Sequence, residues 1–173
     1  MQVQIKLITP LLYQTYIDVG LKSYLQHYLH LWEDKDASPY INSSFTKETL
    51  LKEAEDFNTA LYIIYANKIP VGILKISKDK PFASYEKKDA LLIDKIYILK
   101  EYSGKGIGKK VLDSILELAQ QLKKKIIWLD TMKNGPALAF YIKNGFQIHS
   151  EIELSYKTIP KSKRAMYNMM KLL

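Results

Sequence analysis

The sequence has no cysteine among its 173 residues. This absence excludes disulfide bonds, zinc sites built from thiolates and any mechanism that passes through a cysteine-bound intermediate. Long apolar runs are also absent, and none approaches the roughly 20 residues that a membrane-spanning helix needs. Residues 1–6 do not combine a basic start with a long apolar stretch, so we expect no signal peptide and no membrane partner, and we place the protein in the cytoplasm.

Proline and glycine are few, at 6 and 7 residues, and they form no linker, repeat or low-complexity segment. Apolar residues make up 47% of the chain and charged residues 25%, which is typical of a folded globular protein. A chain of this length buries one ordinary core and is too short for two comfortable domains. We therefore expect a single domain over residues 1–173.

Acidic residues are scarce in the second part of the chain. Residues 1–99 contain 12 lysines and 12 acidic residues, whereas residues 100–173 contain 14 basic and 6 acidic residues and hold the whole net charge of +8. A basic half favours contact with a nucleic acid, an anionic membrane or a polyphosphate cofactor, although a solvated lysine-rich surface is the simpler interpretation. Because the lysines are not interleaved with stacking aromatic residues, we expect no specific nucleic-acid partner.

Hydrophobic periodicity predicts a mixed α/β fold. Apolar runs predict strands at residues 2–8, 60–66, 71–77, 90–99, 126–129, 146–156 and 165–172. Helical spacing predicts a helix at residues 11–31 that is interrupted at Gly20, a helix opened by Thr46, a helix that follows the glycines near residue 106 and runs to about Lys124, and a short helix at residues 136–143. The turn-rich residues 32–44 predict a loop, and residues 67–70 predict a hairpin connection.

A glycine-rich turn follows the strand predicted at residues 90–99 and precedes a helix. It has the sequence Ser103-Gly104-Lys105-Gly106-Ile107-Gly108, followed by Lys109. Glycines permit positive φ and close approach of a ligand, and the free amides of a helix N-terminus bind anions, so we expect a diphosphate here. The turn fails the Walker pattern at both ends, and its glycine spacing differs from Gly-x-Gly-x-x-Gly. A turn that only connects strand to helix is the simpler alternative.

A second motif has the sequence Asn134-Gly135-Pro136-Ala137-Leu138-Ala139-Phe140-Tyr141-Ile142-Lys143-Asn144-Gly145-Phe146. The two motifs together resemble those of the GNAT superfamily of acetyltransferases. Its first pattern is Arg or Gln, two residues, Gly, one residue, then Gly or Ala, and its second is Asn-x-x-Ala-x-x-Phe-Tyr-x-x-x-Gly-Phe. Every anchor of the second pattern is present, whereas Ser103 replaces the Arg or Gln of the first.

The resemblance is good over residues 60–173 and weak before them. Within the superfamily, residues 44–50, 92–98 and 125–129 are most similar to bacterial spermidine/spermine acetyltransferases of the Pai type. The resemblance implies a mixed, mostly antiparallel central sheet flanked by helices. It also implies that residues 1–59 form acceptor-side helices and that residues 60–173 form the acetyl-CoA-binding core.

The resemblance further implies how acetyl-CoA is held. Residues 103–109 would hold the pyrophosphate, residues 96–98 would lie along the pantetheine arm, and the amide of Ile98 would face the thioester oxygen. Asn134 would contact the arm from the next strand. The implied contacts with acetyl-CoA are Ile96, Tyr97, Ile98, Ser103, Gly104, Lys105, Gly106, Ile107, Gly108, Lys109, Asn134, Ala137, Tyr141 and Lys143.

The resemblance implicates Tyr141 as the donor of a proton or hydrogen bond to the departing sulfur. A phenol of pKa ~10 can serve a thiolate whose conjugate acid has a pKa of about 8.5. A core aromatic beside Phe140 is the alternative for Tyr141. The attacking alkyl ammonium, of pKa ~10.4, must lose a proton, and Asp94 is the candidate base or ammonium ligand because a carboxylate inside an apolar strand needs a use or a partner. An outward Asp94 paired with a lysine is the alternative.

The acceptor would lie near the N-terminal helices, where Glu33, Asp34 and Asp36 stand close in sequence to Trp32 and Tyr40. This acidic cluster could attract spermidine or spermine, with a plain solvated loop as the alternative. The lack of cysteine favours direct attack by the amine in a ternary complex. Acetylation of a protein N-terminus or lysine, and a non-catalytic CoA-binding regulatory domain, stay open as alternative functions.

No metal site is expected. The three histidines, His27, His30 and His149, lie outside both motifs, so we expect surface or core positions for them and no role in catalysis. The resemblance leaves room for a homodimer, since many relatives dimerise, but no residue pattern identifies an interface.

Overall fold

The computed structural model describes residues 1–173, which form a seven-stranded sheet with helices on both faces. The strands are β1 (Val3–Leu7), β2 (Thr59–Ala66), β3 (Ile69–Ser77), β4 (Ala90–Ile98), β5 (Ile126–Met132), β6 (Gln147–Glu153) and β7 (Ala165–Leu172). Their order in the sheet is β1-β2-β3-β4-β5-β7-β6, and only β4 and β5 pair in parallel. The expected mixed, mostly antiparallel sheet is confirmed.

Five helices cover the sheet: α1 (Tyr13–Tyr28), α2 (Ser38–Ser44), α3 (Lys47–Glu55), α4 (Ile107–Gln121) and α5 (Pro136–Lys143). The first three enclose a cluster of 13 buried residues on one side, the α1–α3 face. The last two enclose a cluster of 18 buried residues on the other side, the α4–α5 face. Because side chains of a strand alternate between faces, neighbouring residues of one strand serve different helices.

The amphipathic helix α4 is confirmed, but it ends earlier than predicted. Its buried residues recur at helical spacing and are Ile107, Val111, Leu112, Ile115 and Ala119. Lys123 adopts a left-handed φ of 55°, and the amide of Lys124 donates to the carbonyl of Ala119 at 2.9 Å. This Schellman arrangement satisfies the last carbonyls and stops the helix at Gln121.

Two sequence predictions on the α1–α3 face are wrong. Helix α1 is not interrupted at Gly20. A Cβ there would lie 2.5 Å from Phe45 Cε1 and 2.8 Å from Ile73 Cδ1, so the glycine permits close packing of α1 on the sheet. The loop predicted at residues 32–44 contains α2, because Pro39 stands at an early helical position, where its missing amide is tolerated.

Several other elements are close to their predicted bounds. Helix α5 and strand β7 coincide with residues 136–143 and 165–172, and Thr46 caps α3 by accepting a hydrogen bond from the amide of Thr49 at 3.1 Å. The hairpin connection is shorter than predicted, because only Asn67 and Lys68 turn the chain, both with positive φ. No helix in the structure is both long enough and apolar enough to cross a membrane.

Strands β4 and β5 pair only over their first halves, from Ala90 opposite Ile126 to Ile93 opposite Leu129. The pairing of β4 with β3 shifts register at the same place, which leaves Asp94 as the extra residue of a β-bulge. Beyond it, β4 continues along β3 and β5 continues along β7. The two strands therefore separate into an opening between residues 94–98 and 130–132, which we call the fork.

Candidate active site

The backbone of β4 presents free polar groups to the fork. The amide of Leu99 donates to the carbonyl of Val71 in β3 at 2.8 Å. Because backbone groups alternate in direction along a strand, the amides of Ile96 and Ile98 point the other way, into the fork. No strand pairs with β4 on that side beyond Ile93. A ligand in the fork can therefore take the place of a neighbouring strand.

The glycine turn stands at the N-terminus of α4. Gly104 and Gly106 adopt φ of 73° and 79°, a left-handed conformation that side chains other than glycine disfavour. A Cβ added to either residue would meet nothing within 4 Å, so the outer surface of the turn is open. Gly106 precedes α4 without a side-chain cap. The first amides of the helix are thus available to an anion, and the helix dipole favours one.

The two lysines of the turn differ in their surroundings. Lys105 is exposed and its ammonium lies 5.3 Å from the centre of the Tyr102 ring. Lys109 forms a salt bridge with Asp113 one helical turn along α4. Lys105 is therefore the side chain that leaves its positive charge beside the open turn. Ser103 is exposed, and its short hydroxyl cannot make the contact of the longer Arg or Gln side chain that the pattern has at this position.

Helix α1 fixes the end of β4 and the start of the turn. The carboxylate of Glu101 accepts hydrogen bonds from Lys22 and Gln26, each at 3.1 Å, and Gln26 also accepts one from the amide of Lys100 at 2.8 Å. His27 Nε2 lies 2.9 Å from the carbonyl oxygen of Ile98, which identifies Nε2 as the protonated nitrogen. His27 satisfies this carbonyl and leaves the amide of Ile98 facing the fork. Sequence reasoning missed this role.

Tyr141 lies in α5 at the core of the α4–α5 face. Its ring contacts Phe140 and Phe146 edge-on, with centroids 5.2 and 5.5 Å away. Burial, and to a smaller extent the neighbouring Tyr28 of α1, raises the pKa of Tyr141 above its ordinary value, and no hydrogen bond to the protein acts on its hydroxyl. The phenol is therefore protonated at neutral pH and free to donate.

Asp94 is exposed at the bulge, on the β4 side of the fork. Its carboxylate accepts a hydrogen bond from Ser77 at 2.9 Å and lies 3.8 Å from the ammonium of Lys75. The position has features of both interpretations drawn from the sequence, since Asp94 adjoins the fork and also has a lysine neighbour. Its role as a base stays a prediction.

A second carboxylate, which sequence reasoning missed, lies on the β5 side of the fork. Burial raises the pKa of Asp130 above its ordinary value, the hydrogen bond from Asn168 lowers it, and the negative charge of Asp94 raises it. The two carboxylates are therefore close enough to interact across the fork. An acidic pair of this kind is a favourable place for a cation.

The α1–α3 face beside the fork is lined by aromatic rings and one unusual lysine. The hydroxyls of Tyr40 and Tyr97 are hydrogen-bonded at 2.7 Å. The ammonium of Lys95 lies 5.4 Å from the centre of the Tyr40 ring and 5.3 Å from that of Phe45. Burial, followed by the positive charge of Lys75, lowers the pKa of Lys95 to about 8. No pattern in the sequence indicates this environment.

Other residues singled out in the sequence lie outside the two strands of the fork. Glu33, Asp34 and Asp36 are exposed, and Asp36 accepts a hydrogen bond from the amide of Ser38 at 3.0 Å. Asn134 is exposed in the turn between β5 and α5, and Ala137 packs in the first turn of α5. Lys143 is exposed at the opposite end of that helix. Their predicted contacts stay predictions.

The remaining histidines take no part in the fork. His30 is exposed, and His149 is exposed on β6 with its ring 4.9 Å from that of Phe82. The structure contains no group of three or more His, Asp or Glu side chains arranged to hold a metal ion.

Comparison with known proteins identifies the family to which the chain belongs. The acetyltransferase (GNAT) family pattern matches residues 21–146. The chain is similar to a probable spermine N(1)-acetyltransferase of Bacillus subtilis subsp. natto, with 35% identity over 97 residues, 50% of this chain and 64% of that protein, so it spans less than two thirds of that relative. It is also similar to the spermidine N(1)-acetyltransferase of Thermoplasma acidophilum, with 29% identity over 143 residues, 78% of this chain and 82% of that protein.

The fold is that of known acetyltransferases. The crystal structure of the PaiA N-acetyltransferase from Thermoplasma acidophilum in complex with coenzyme A superposes with a TM-score of 0.77 over 100% of both chains, at 18% identity. At this identity the likeness establishes the fold alone. The family match includes the fork, the glycine turn and the motif that ends at Phe146. The chain belongs to the GNAT family of acetyltransferases.

Proposed function

We propose that this protein transfers the acetyl group of acetyl-CoA to a primary amine of a polyamine such as spermidine or spermine. The amine would attack the thioester directly while both substrates are bound. The observation that carries the proposal is the fork between β4 and β5, where the amides of β4 have no partner strand; an uncapped helix N-terminus follows β4 in the chain, and the buried phenol of Tyr141 is protonated. Acyl transfer needs donors of these three kinds.

The glycine turn fits the diphosphate of acetyl-CoA. Gly104 and Gly106 hold the turn in a left-handed conformation whose outer surface is open, and the amides that follow Gly106 are uncapped. Lys105 adds a positive charge without a carboxylate partner. These groups match the charge and the shape of a phosphate ligand.

The amides of Ile96 and Ile98 are the donors for the pantetheine arm and for the oxygen on which negative charge develops. His27 donates a hydrogen bond to the carbonyl of Ile98 and so fixes the end of β4 that carries the amide of Ile98. A donor that is already oriented before the reaction stabilises an oxyanion without reorganisation. Tyr141 would then supply a proton or hydrogen bond to the leaving sulfur.

The acceptor class is supported by the carboxylates of the fork. Asp94 and Asp130 interact across it, and a protonated amine bound between them would relieve their repulsion. The relatives named as spermine and spermidine acetyltransferases agree with a polycationic acceptor. Asp94 would take up the proton of the attacking ammonium directly or through water. Placement in the cytoplasm, the absence of a metal and a homodimer stay predictions.

The test is a panel of amines incubated with the protein and acetyl-CoA, with release of free thiol as the readout. The panel contains spermidine, spermine, a diamine, a monoamine, amino acids, a lysine peptide and a peptide with a free N-terminus. We expect the polyamines to have a KM at least ~10-fold below that of the monoamine, since each hydrogen bond to a charged group contributes on the order of 1.5 kcal/mol.

Two variants decide whether the fork carries this preference. Asp130→Asn should raise the KM for spermidine more than the KM for the monoamine. Asp18→Asn, an exposed acid on α1 bonded only to Gln14, should change neither value. Fast turnover of the lysine peptide or of the free N-terminus, with slow turnover of polyamines, would instead identify a protein acetyltransferase. Tight binding of acetyl-CoA without turnover of any amine would contradict catalysis and favour a regulatory role.

A further inference from the structure

Lys95 is a partly buried amine beside the fork that the proposed mechanism does not use. It precedes Ile96, whose amide faces the fork, and its side chain extends along the α1–α3 face. Two aromatic rings, those of Tyr40 and Phe45, enclose its ammonium at 5.4 and 5.3 Å. No hydrogen bond or salt bridge acts on it, which is unusual for a buried lysine.

The charges around Lys95 come from three elements. Lys75 of β3 repels the ammonium, whereas Glu53 of α3 and Asp94 of β4 attract it. Burial and the repulsion by Lys75 outweigh these two attractions, so the pKa of Lys95 is lowered. Lys75 forms a salt bridge with Glu53, whose carboxylate lies 2.8 Å away, so this carboxylate is not available to pair with Lys95. The balance raises the neutral fraction of Lys95 above that of an ordinary lysine, and the neutral amine is the nucleophilic form.

The contrast with Lys75 defines what is special about Lys95. Both side chains stand opposite each other on neighbouring strands and extend from the same face of the sheet. Lys75 has a carboxylate partner, Glu53, whereas Lys95 has only rings. A reactive acyl donor brought to the fork would therefore encounter one lysine without a carboxylate partner and one held in a salt bridge.

We propose that Lys95 is a self-acetylation site, modified by the acetyl thioester bound at the fork when no acceptor amine is present. Nζ of Lys95 forms a bond to the carbonyl carbon, the carbon–sulfur bond breaks, and coenzyme A leaves as the thiolate. The proton lost from Nζ passes to the thiolate through solvent or Tyr141. The products are N-acetyl-lysine and the free thiol, and no further reactant is needed.

Acetylation changes the charge beside the acceptor position. The amide that forms is neutral, so the positive charge of Lys95 is lost while Asp94, Asp130 and Glu53 keep theirs. The site becomes more negative and bulkier at the rings of Tyr40 and Phe45. The modification thus depends on acetyl-CoA binding, which the family supplies, and not on polyamines being the acceptor.

The test uses the purified protein with acetyl-CoA and no amine. Peptide mass spectrometry over time gives the acetylated fraction at every lysine. We expect Lys95 to be acetylated at least ~10-fold faster than Lys75, because Lys95 has a lowered pKa and no carboxylate partner, whereas Lys75 is held in a salt bridge with Glu53. Excess coenzyme A should suppress the reaction at Lys95 by competition. Acetyl phosphate, a donor that does not need the glycine turn, should not favour Lys95.

Lys95→Arg should lower total incorporation to the level of the exposed lysines without altering the far-ultraviolet circular dichroism spectrum. An unmodified Lys95, or equal rates at Lys95 and Lys75, would overturn the inference. So would a preference for Lys95 that persists with acetyl phosphate. Free thiol released with spermidine is measured in the same samples. Polyamine turnover with an unmodified Lys95 contradicts this inference alone, whereas acetyl-Lys95 without polyamine turnover supports it and contradicts the proposed acceptor.

Discussion

The two faces of the sheet differ in chemistry. The buried cluster on the α4–α5 face is largely aliphatic, and Tyr141 is its only buried residue with a hydroxyl. The cluster on the α1–α3 face contains Tyr13, Tyr16, Tyr24 and Trp32, and polar groups such as Glu53 and Tyr16 are buried there without a full set of partners. One buried cluster is thus mainly aliphatic, and the other is rich in aromatic and polar side chains.

This difference separates two kinds of recognition. Acetyl-CoA is the same molecule for every member of the family, and backbone amides and glycines are sufficient to hold its diphosphate. An acceptor amine has to be distinguished from others, which requires side-chain charge and shape. We therefore expect substitutions on the α4–α5 face to change the chemistry or the binding of acetyl-CoA, and substitutions on the α1–α3 face to change stability or acceptor choice.

The largest effect is expected from Tyr141→Phe, which removes the one hydroxyl from the aliphatic cluster. The ring packing is retained and the proton donor is lost, so kcat should fall by about 10²-fold while the Kd for acetyl-CoA stays the same. Thiol release at saturating spermidine measures kcat, and equilibrium titration measures Kd. Tyr62→Phe is the matched control, since Tyr62 is a partly buried tyrosine on the same face. A kcat within twofold of the native value would exclude Tyr141 as the donor.

The next largest effect is on the free energy of unfolding, and it compares two glycines on opposite faces of the sheet. Gly20→Ala places a Cβ 2.5 Å from Phe45, and overpacking of this kind costs about 2 kcal/mol of unfolding free energy. Gly108→Ala on the other face meets Phe140 at 3.4 Å, an ordinary contact, and should leave the stability within about 0.5 kcal/mol. Denaturant unfolding of both variants checks the difference. Equal stabilities would mean that α1 can move away from the sheet without cost.

The same contrast explains what the sequence could predict. Gly104 and Gly106 act through backbone conformation, which their residue type alone dictates, so a short motif was sufficient to identify the turn. Gly20 was misinterpreted because a glycine inside a helical pattern is compatible with an interruption or with close packing, and only the position of Phe45 decides.

The side-chain part of the site has no motif. Asp130, Lys95 and His27 come from β5, β4 and α1, and their surroundings are set by tertiary structure and not by a local pattern. Asp94 was found because an acid interrupts an apolar strand, but the bulge that turns it outward depends on pairing with β3. Register between strands is set by the whole sheet, and a single strand's pattern does not contain it.

A smaller effect is expected for Gly106→Ala, which tests whether the glycine turn acts through its conformation. A left-handed alanine costs about 1–2 kcal/mol, so the turn should relax away from its open shape and weaken acetyl-CoA binding about 10-fold. Gly145→Ala is the control: its φ of 85° imposes the same kind of strain at the end of α5, away from the turn. It should destabilise the fold and leave the affinity unchanged. Loss of affinity in both variants would attribute the effect to general destabilisation.

The smallest effect concerns Lys95→Met, which makes the α1–α3 face more like its aliphatic counterpart. The pKa of Lys95 is about 8 in the folded protein and about 10.4 in the unfolded chain, so between these values the unfolded state binds more protons and stability rises with pH. From pH 7 to 9 the native protein should gain about 1 kcal/mol relative to the variant, a figure reduced for the partial solvent contact of the ammonium. Urea unfolding of both proteins at each pH gives the difference and cancels the ionisation of the tyrosines they share.

At pH 7 the Lys95→Met variant should be more stable than the native protein. Lys75→Met should instead be less stable than the native protein at pH 7. It removes the cation paired with Glu53 at 2.8 Å and leaves that carboxylate without its partner.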